Sequence, residues 1–358
     1  MQRLEPEIAA IIDDALRRHV GSAVAVSIGD AGAEVVRVVR GHTRRIPELG
    51  APVDDGTYFD VASLTKPMAT VACAMVLTEA RILDLDAPIR HWLPTASSTG
   101  TVRQLLGHGA GCAAHVEFFR RLRSNPTPDP RRELVQMAAA EAAVAPGTGA
   151  LYSDLGYIML GAIIERAADA PLEHVFADLV AGPLGLVARY AGTTPVPGAV
   201  STELDDRGLV TGLVHDENAY YGGGACGHAG LFATIGDVAA FAAAIVDTAA
   251  GRPRGRFTTE LVHHFATTAV APRTSWRLGW DTPSPTSGVS HAGDRWPRTG
   301  SIGHLGFTGT SLWLDLPRRR WVALLANRVH PTRGGSSAEE IKALRRAVND
   351  RAIELLPA

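Results

Sequence analysis

Phe59-Asp60-Val61-Ala62-Ser63-Leu64-Thr65-Lys66-Pro67 sets a serine three residues ahead of a lysine, where the apolar run Met68 to Ala80 begins and reads as a helix. Residues three apart on a helix share a face, with Cβ atoms about 5–6 Å apart, so the Ser63 hydroxyl and the Lys66 amine are expected to be neighbours. A serine is a poor nucleophile until a base takes its proton, and a neutral lysine can be that base. The start of the helix adds unpaired backbone N–H groups and the positive end of the helix dipole, which favour an oxyanion beside Ser63. Taken alone, Ser-x-x-Lys is a weak pattern, equally compatible with an N-cap serine and a surface lysine.

Composition sharpens the reading. Of 35 cationic residues only Lys66 and Lys342 are lysine, and the other 33 are arginine. Guanidinium stays charged in proteins, whereas a buried amine can lose its proton. A lysine kept at position 66 against that background fits proton transfer; Lys342 falls in an exposed-looking C-terminal helix and reads as incidental. The 358 residues suffice for about two domains, or one large domain with an insertion. With 46% hydrophobic and 20% charged residues, the chain can bury a core without disulfides or metal. Near balance of 35 cations against 37 acids argues against a nucleic-acid surface as its main business. No apolar run approaches the ~18 residues of a membrane span. The N-terminal stretch has no apolar signal core, so a cytoplasmic protein is expected. Cys73, Cys112 and Cys226 lack zinc-ligand spacing and read as small buried hydrophobes.

Both chain ends carry strands and helices. Glu5 to His19 has helical apolar spacing, and Ser22–Ile28 and Glu34–Val39 read as a hairpin about Gly29-Asp30-Ala31-Gly32. Ile302–Thr308, Ser311–Leu316 and Trp321–Asn327 read as three more strands, before a helix over Ser337–Leu355. The middle reads as helical. Thr101-Val102-Arg103-Gln104 has capping-box spacing, and Asp129-Pro130 is an N-cap with a first-turn proline. Leu155–Ala168 and Asp237–Ala249 are further helices. The expected architecture is an α/β (α+β) protein: an antiparallel sheet flanked by terminal helices, built from residues 1–80 and 285–358, with a mainly helical insertion over 81–284.

Two more groups join the serine and lysine. Tyr152-Ser153-Asp154 stands between the turn Pro146-Gly147-Thr148-Gly149 and an apolar helix, and His304-Leu305-Gly306 opens a C-terminal strand. In that order and context the chain resembles the serine β-lactamase-like superfamily, which groups class C β-lactamases, penicillin-binding carboxypeptidases, D-aminopeptidases and esterases. The resemblance extends through Leu83-Asp84-Leu85-Asp86-Ala87-Pro88, the Leu105-Leu106 and His108 segment, Leu155-Gly156-Tyr157, Pro183-Leu184-Gly185-Leu186, Gly230-Leu231-Phe232 and Gly303 to Gly309. It runs from about residue 20 to 330 in family order.

The resemblance implies an antiparallel sheet with an inserted helical domain and the site between them. It implies Ser63 as nucleophile, Lys66 as its base, and Tyr152 as the proton shuttle to the leaving group. The backbone N–H groups of Ser63 and Phe307 would form the oxyanion hole, with Asp154, His304 and Gly306 lining the substrate site. Two positions depart from the penicillin-binding branches. His304 stands where they carry lysine, and a largely neutral imidazole is a weaker anion site. Asp154 replaces their usual asparagine; it accepts hydrogen bonds only and holds Lys66 protonated more firmly, so that Tyr152 carries more of the base role. Both changes point away from β-lactams and D-Ala peptides and toward simple esters.

The glycine-rich loop with His215, Asp216, Asn218 and His228 is open to three readings: a metal site, a cleft wall or a hydrogen-bonded scaffold. His108 reads as structural. The expected protein is an esterase-like serine hydrolase without metal or organic cofactor, acting on a small-molecule ester or amide. A β-lactamase or D-amino-acid peptidase and a catalytically weak acyl-ligand sensor are the competing readings. Oligomeric state is open.

Overall fold

The structure is a computed structural model and describes residues 3–334 and 337–357. Helix α1 (Leu4–Arg17) leads into the hairpin of β1 (Ala23–Asp30) and β2 (Ala33–Gly41). Short β3 (Phe59–Asp60) delivers the Ser63 turn, and α2 (Ala72–Glu79) follows it. Next come α3 (Val102–Leu106), α4 (Pro130–Ala140), α5 (Asp154–Ala168), β4 (Arg189–Tyr190), β5 (Ser201–Asp205), β6 (Gly208–Thr211), β7 (Leu231–Ala233) and α6 (Ile235–Ala249). The chain closes with β8 (Ser301–Leu305), β9 (Ser311–Asp315), β10 (Arg320–Ala326) and α7 (Ser337–Leu355).

The main sheet is antiparallel in the order β2-β1-β10-β9-β8, so both chain ends meet in it. Its side chains alternate with the pleat. Val24, Val26, Ile28, Trp313, Val322 and Leu324 face one way and are buried with Ile8 and Ile12 of α1 and Leu344 and Val348 of α7. Ala23, Ala25, Leu312, Leu314, Ala323 and Leu325 face the larger core, which includes Phe241, Ala242 and Ile245 of α6. Several of these inner positions are alanine, which lets α6 lie close on the sheet. The helix starts follow local rules: Thr101 and Gln104 make a reciprocal capping box, and Asp129 accepts the Arg132 N–H ahead of Pro130.

The middle of the chain is less uniformly helical than its periodicity implies. A second sheet has the order β3-β7-β4, and β5 and β6 form a separate hairpin. Among the described residues no helix is long and apolar enough to cross a membrane. The three cysteines are free and buried, as expected.

Candidate active site

Pairing of β3 with β7, Asp60 opposite Phe232, fixes where the chain leaves the small sheet. Asp60 is buried, and its two carboxylate oxygens accept the N–H of Ala62 at 2.8 Å and of His215 at 2.7 Å. Those bonds hold Ala62 at φ 48°, a left-handed conformation disfavoured for alanine, and the sharp turn leaves Ser63 half-buried against a cleft. Beyond it Lys66–Val71 winds as a wide π-type turn rather than a regular α-helix, a feature often found at functional sites. Serine and lysine still come together: Lys66 Nζ lies 3.0 Å from Ser63 Oγ.

Lys66 is wholly buried. Its amine also reaches Tyr152 Oη at 2.6 Å, Asp154 Oδ1 at 2.8 Å and the His228 carbonyl at 3.2 Å. Tyr152 Oη lies 2.8 Å from Ser63 Oγ, closing a triangle of serine, lysine and tyrosine. Burial alone would depress the lysine pKa, but the charge of Asp154 and the Tyr152 hydroxyl outweigh it and raise it above the usual amine range. Burial raises the Tyr152 pKa, with Lys66 opposing. Asp154 would also be raised by burial, yet Lys66 and His115, whose Nδ1 is 3.3 Å away, hold it far below the carboxylate range. At rest the site therefore holds an ammonium–carboxylate pair beside a neutral phenol, in line with the expected effect of Asp154.

Tyr152 precedes α5, whose N-cap Ser153 accepts the Gly156 N–H. The Ser153 N–H donates to Nδ1 of His108, and the buried His108 ring packs 4.8 Å from the Tyr152 ring. His108 is thus structural in the sense expected of it, and it also backs the tyrosine.

The β8–β9 turn supplies the other side. Thr308 and Thr310 hydroxyls donate to the carbonyls of Asp60 and Val61, both at 2.8 Å, and so tie this turn to the Ser63 turn. Gly306 permits that approach: a Cβ there would lie 2.0 Å from Thr310 Oγ1 and 2.5 Å from the Val61 carbonyl oxygen. The N–H groups of Ser63 and Phe307 have no partner among the described residues, and both residues line the cleft. Two such donors beside the Ser63 hydroxyl would suit a developing oxyanion.

The cleft holds about 620 Å³, with Trp276, Tyr152, Asp154, His304 and Phe307 on its walls. His304 is buried, donates from Nδ1 to the Leu305 carbonyl at 2.9 Å, and has its pKa pushed down to about 3 by burial and the nearby Lys66 charge. It carries no charge at neutral pH, as the substitution for lysine implies. In the 214–230 loop, His215 pairs with Glu203 and His228 with Asp216, each at 2.9 Å, and Asn218 bonds the backbone at Val116 and Phe119. No cluster of three metal-ligating side chains occurs among the described residues. The loop is both cleft wall and hydrogen-bonded scaffold, and it presents the His228 carbonyl to Lys66.

Sequence reasoning assigned no role to Asp60, His115, Trp276 or the His228 carbonyl. Asp60 stood inside the quoted nucleophile segment, and a buried acid ahead of a turn was its signal. His115 and Trp276 lie outside every motif and reach the site only through the fold.

A family model described as Beta-lactamase matches residues 8–346. A putative D-alanyl-D-alanine carboxypeptidase of Escherichia coli (strain K12) is 29% identical over 310 residues, covering 77% of this chain and 70% of that protein. Esterase EstB of Burkholderia gladioli is 33% identical over 202 residues, covering 51% of this chain and 50% of that one. Among solved structures, EstCE1, a hydrolase with promiscuous acyltransferase activity, superposes with a TM-score of 0.74 at 21% identity, covering 97% of this chain and 99% of that chain.

Proposed function

The match makes the chain a member of the beta-lactamase family, and on that premise we propose that it is a serine hydrolase working through a covalent acyl-enzyme, with small esters as preferred substrates. The observation that carries the reading is the triangle of Ser63 Oγ, Lys66 Nζ and Tyr152 Oη, with sides of 2.6–3.0 Å, beside two unpartnered N–H groups.

Lys66 as an ammonium has three N–H bonds and four oxygen neighbours. Asp154 and the His228 carbonyl accept only, so one N–H is left for Ser63 and Tyr152 to share. A proton released from Ser63 can be received only when the Lys66–Tyr152 pair has lost one. Ser63 Oγ then attacks the ester carbonyl carbon and passes its proton to that pair, while the carbonyl oxygen becomes an oxyanion held by the N–H groups of Ser63 and Phe307. Collapse breaks the C–O bond to the leaving alcohol, which takes the proton from Tyr152. Water repeats the sequence: it gives a proton to the pair, attacks the acyl carbon, and releases the acid as Ser63 Oγ is reprotonated.

This scheme has a sign in pH. Asp154 raises the Lys66 pKa, so the competent, deprotonated pair grows as pH rises, and kcat/KM for an ester is expected to increase through neutrality into the alkaline range. Asp154→Asn removes the opposing charge and should move the inflection to lower pH by about 1–3 units. A pH profile that stays put, or moves up, would mean that Lys66 is not the titrating group.

A substrate panel tests the class. A short-chain 4-nitrophenyl ester should be hydrolysed on the order of 10- to 10³-fold more efficiently than a cephalosporin, since neutral His304 withholds a charge-assisted contact worth ~1.5–3 kcal/mol and acceptor-only Asp154 withholds a neutral hydrogen bond worth ~0.5–1.5 kcal/mol. A cephalosporin turned over as efficiently as the ester would overturn the preference. The 29% likeness to a putative D-alanyl-D-alanine carboxypeptidase supports a D-amino-acid peptidase as the second reading, and a D-Ala-D-Ala peptide belongs in the same panel.

A further inference from the structure

The charges on the cleft wall are unevenly paired. Asp154 is held by Lys66 and His115, Asp216 by His228, and Glu217 by Arg333. The Asp281 carboxylate accepts the Thr282 N–H and makes no ion pair among the described residues. That leaves Arg328 and Arg345, both lining the cleft and both more than nine-tenths buried, with no carboxylate partner among the described residues. Arg328 donates to the Ser337 hydroxyl at 3.0 Å, and Arg345 to the carbonyls of Gly306 and Thr310 at 2.8 and 2.7 Å, while its Nε is buried without any partner. Glu203, whose charge acts on Arg328, is hydrogen-bonded to His215 and Arg333 and not to Arg328 or Arg345. Burial pushes both guanidinium pKa values down, that of Arg345 to about 9, so each remains cationic at neutral pH.

Two buried cations with no carboxylate in contact are costly unless an anion comes to them. Their position says what could. Arg328 follows β10, its backbone N–H donates to the Thr308 carbonyl at 2.7 Å, and its guanidinium stacks 4.4 Å over the half-exposed Phe307 ring. Phe307 is also the residue whose N–H faces the oxyanion. The cationic patch is thus built onto the same turn as the Phe307 N–H, on the wall formed with α7.

We propose that Arg328, backed by Arg345, binds an anionic group of the substrate, so that the preferred esters bear a carboxylate or a similar oxyanion besides the scissile bond. This rests on the hydrolase reading above and adds the substrate's charge to it. Neutral His304 then does not make the cleft indifferent to charge: the positive wall lies on Arg328, at the end of β10, instead of on β8.

The test separates binding from turnover. Calorimetry on the Ser63→Ala variant would use two matched pairs: 4-nitrophenyl hydrogen glutarate against its methyl ester, and 3-carboxyphenyl acetate against its methyl ester. At least one free acid should bind on the order of 10- to 100-fold more tightly than its methyl ester. Adding Arg328→Gln should collapse that ratio, and Arg328→Lys should keep part of it. Equal binding within both pairs, or a preference that survives Arg328→Gln, overturns the assignment. Turnover of the same esters by the wild-type protein tests the hydrolase reading on its own. A binding preference without turnover would sink that reading and leave the anion site standing.

Discussion

Replacing Ser63 with alanine is expected to abolish ester hydrolysis, lowering kcat on the order of 10⁴- to 10⁶-fold, as loss of a covalent nucleophile does in serine hydrolases. Among the described residues, the hydroxyl is the one group hydrogen-bonded to both Lys66 and Tyr152, and it sits beside two open backbone donors. No neighbour can take over its part, because Lys66 is saturated by oxygens and the Tyr152 pKa is raised. The fold should hardly notice the change. Lys66 keeps Asp154 and the His228 carbonyl, and the half-buried site leaves only a small void, so thermal unfolding should shift little. An activated phosphonate should label the wild-type protein, with mass spectrometry placing the adduct on the peptide holding Ser63. Labelling that persists in Ser63→Ala would assign the nucleophile elsewhere.

What could be read in advance was what is local. The capping box at Thr101, the proline start at Asp129 and the alternating strands at both chain ends carry their signals within a few residues, and they form as expected, except that the strand expected over Ile302–Thr308 ends at Leu305 and the first strand runs on to Asp30. The β5–β6 hairpin did not announce itself. Ser201 to Thr211 is short and rich in charge, with Asp205-Asp206-Arg207-Gly208 at its tip, and nothing in it alternates apolar with polar. The π-type turn after Lys66 was likewise invisible, since the apolar spacing of Met68 to Ala80 is compatible with either winding.

At the site, residue types were legible and contacts were not. Ser63 and Lys66 are three positions apart, and a local rule predicts their meeting. Tyr152 and Asp154 come from more than 80 positions away, and only the family order pointed to them. Arg345 is further still from Ser63, on α7, yet it holds the carbonyls of Gly306 and Thr310 on either side of the Phe307 turn. In a chain with 33 arginines no count could single it out. The scarcity of lysine worked in the opposite direction: one of two lysines is wholly buried at the centre of the site.

That scarcity leads to the sharpest substitution. Lys66→Arg is expected to be nearly as damaging as Lys66→Ala, with each lowering kcat/KM for an ester on the order of 10²- to 10⁴-fold. If Lys66 served only as a fixed positive charge, arginine would be a fair replacement, and this chain uses arginine almost everywhere else. Its environment argues otherwise. The amine touches four oxygens within 3.2 Å, two of which can only accept, and the contact to Tyr152 at 2.6 Å is an invitation to share a proton. A guanidinium cannot give that proton up near neutral pH, so it would freeze the pair in its protonated, incompetent form. It would also need more room than a wholly buried amine leaves, and that cost has to be told apart from lost proton transfer. The pH profile does so. Lys66→Ala removes the titrating amine and leaves Tyr152 to act alone, whereas Lys66→Arg keeps the charge, so both should lose the wild-type inflection while only the arginine variant preserves the pairing with Asp154. A Lys66→Arg protein that retained most of the ester rate, with the wild-type inflection intact, would make Lys66 an electrostatic anchor and hand the base role to Tyr152.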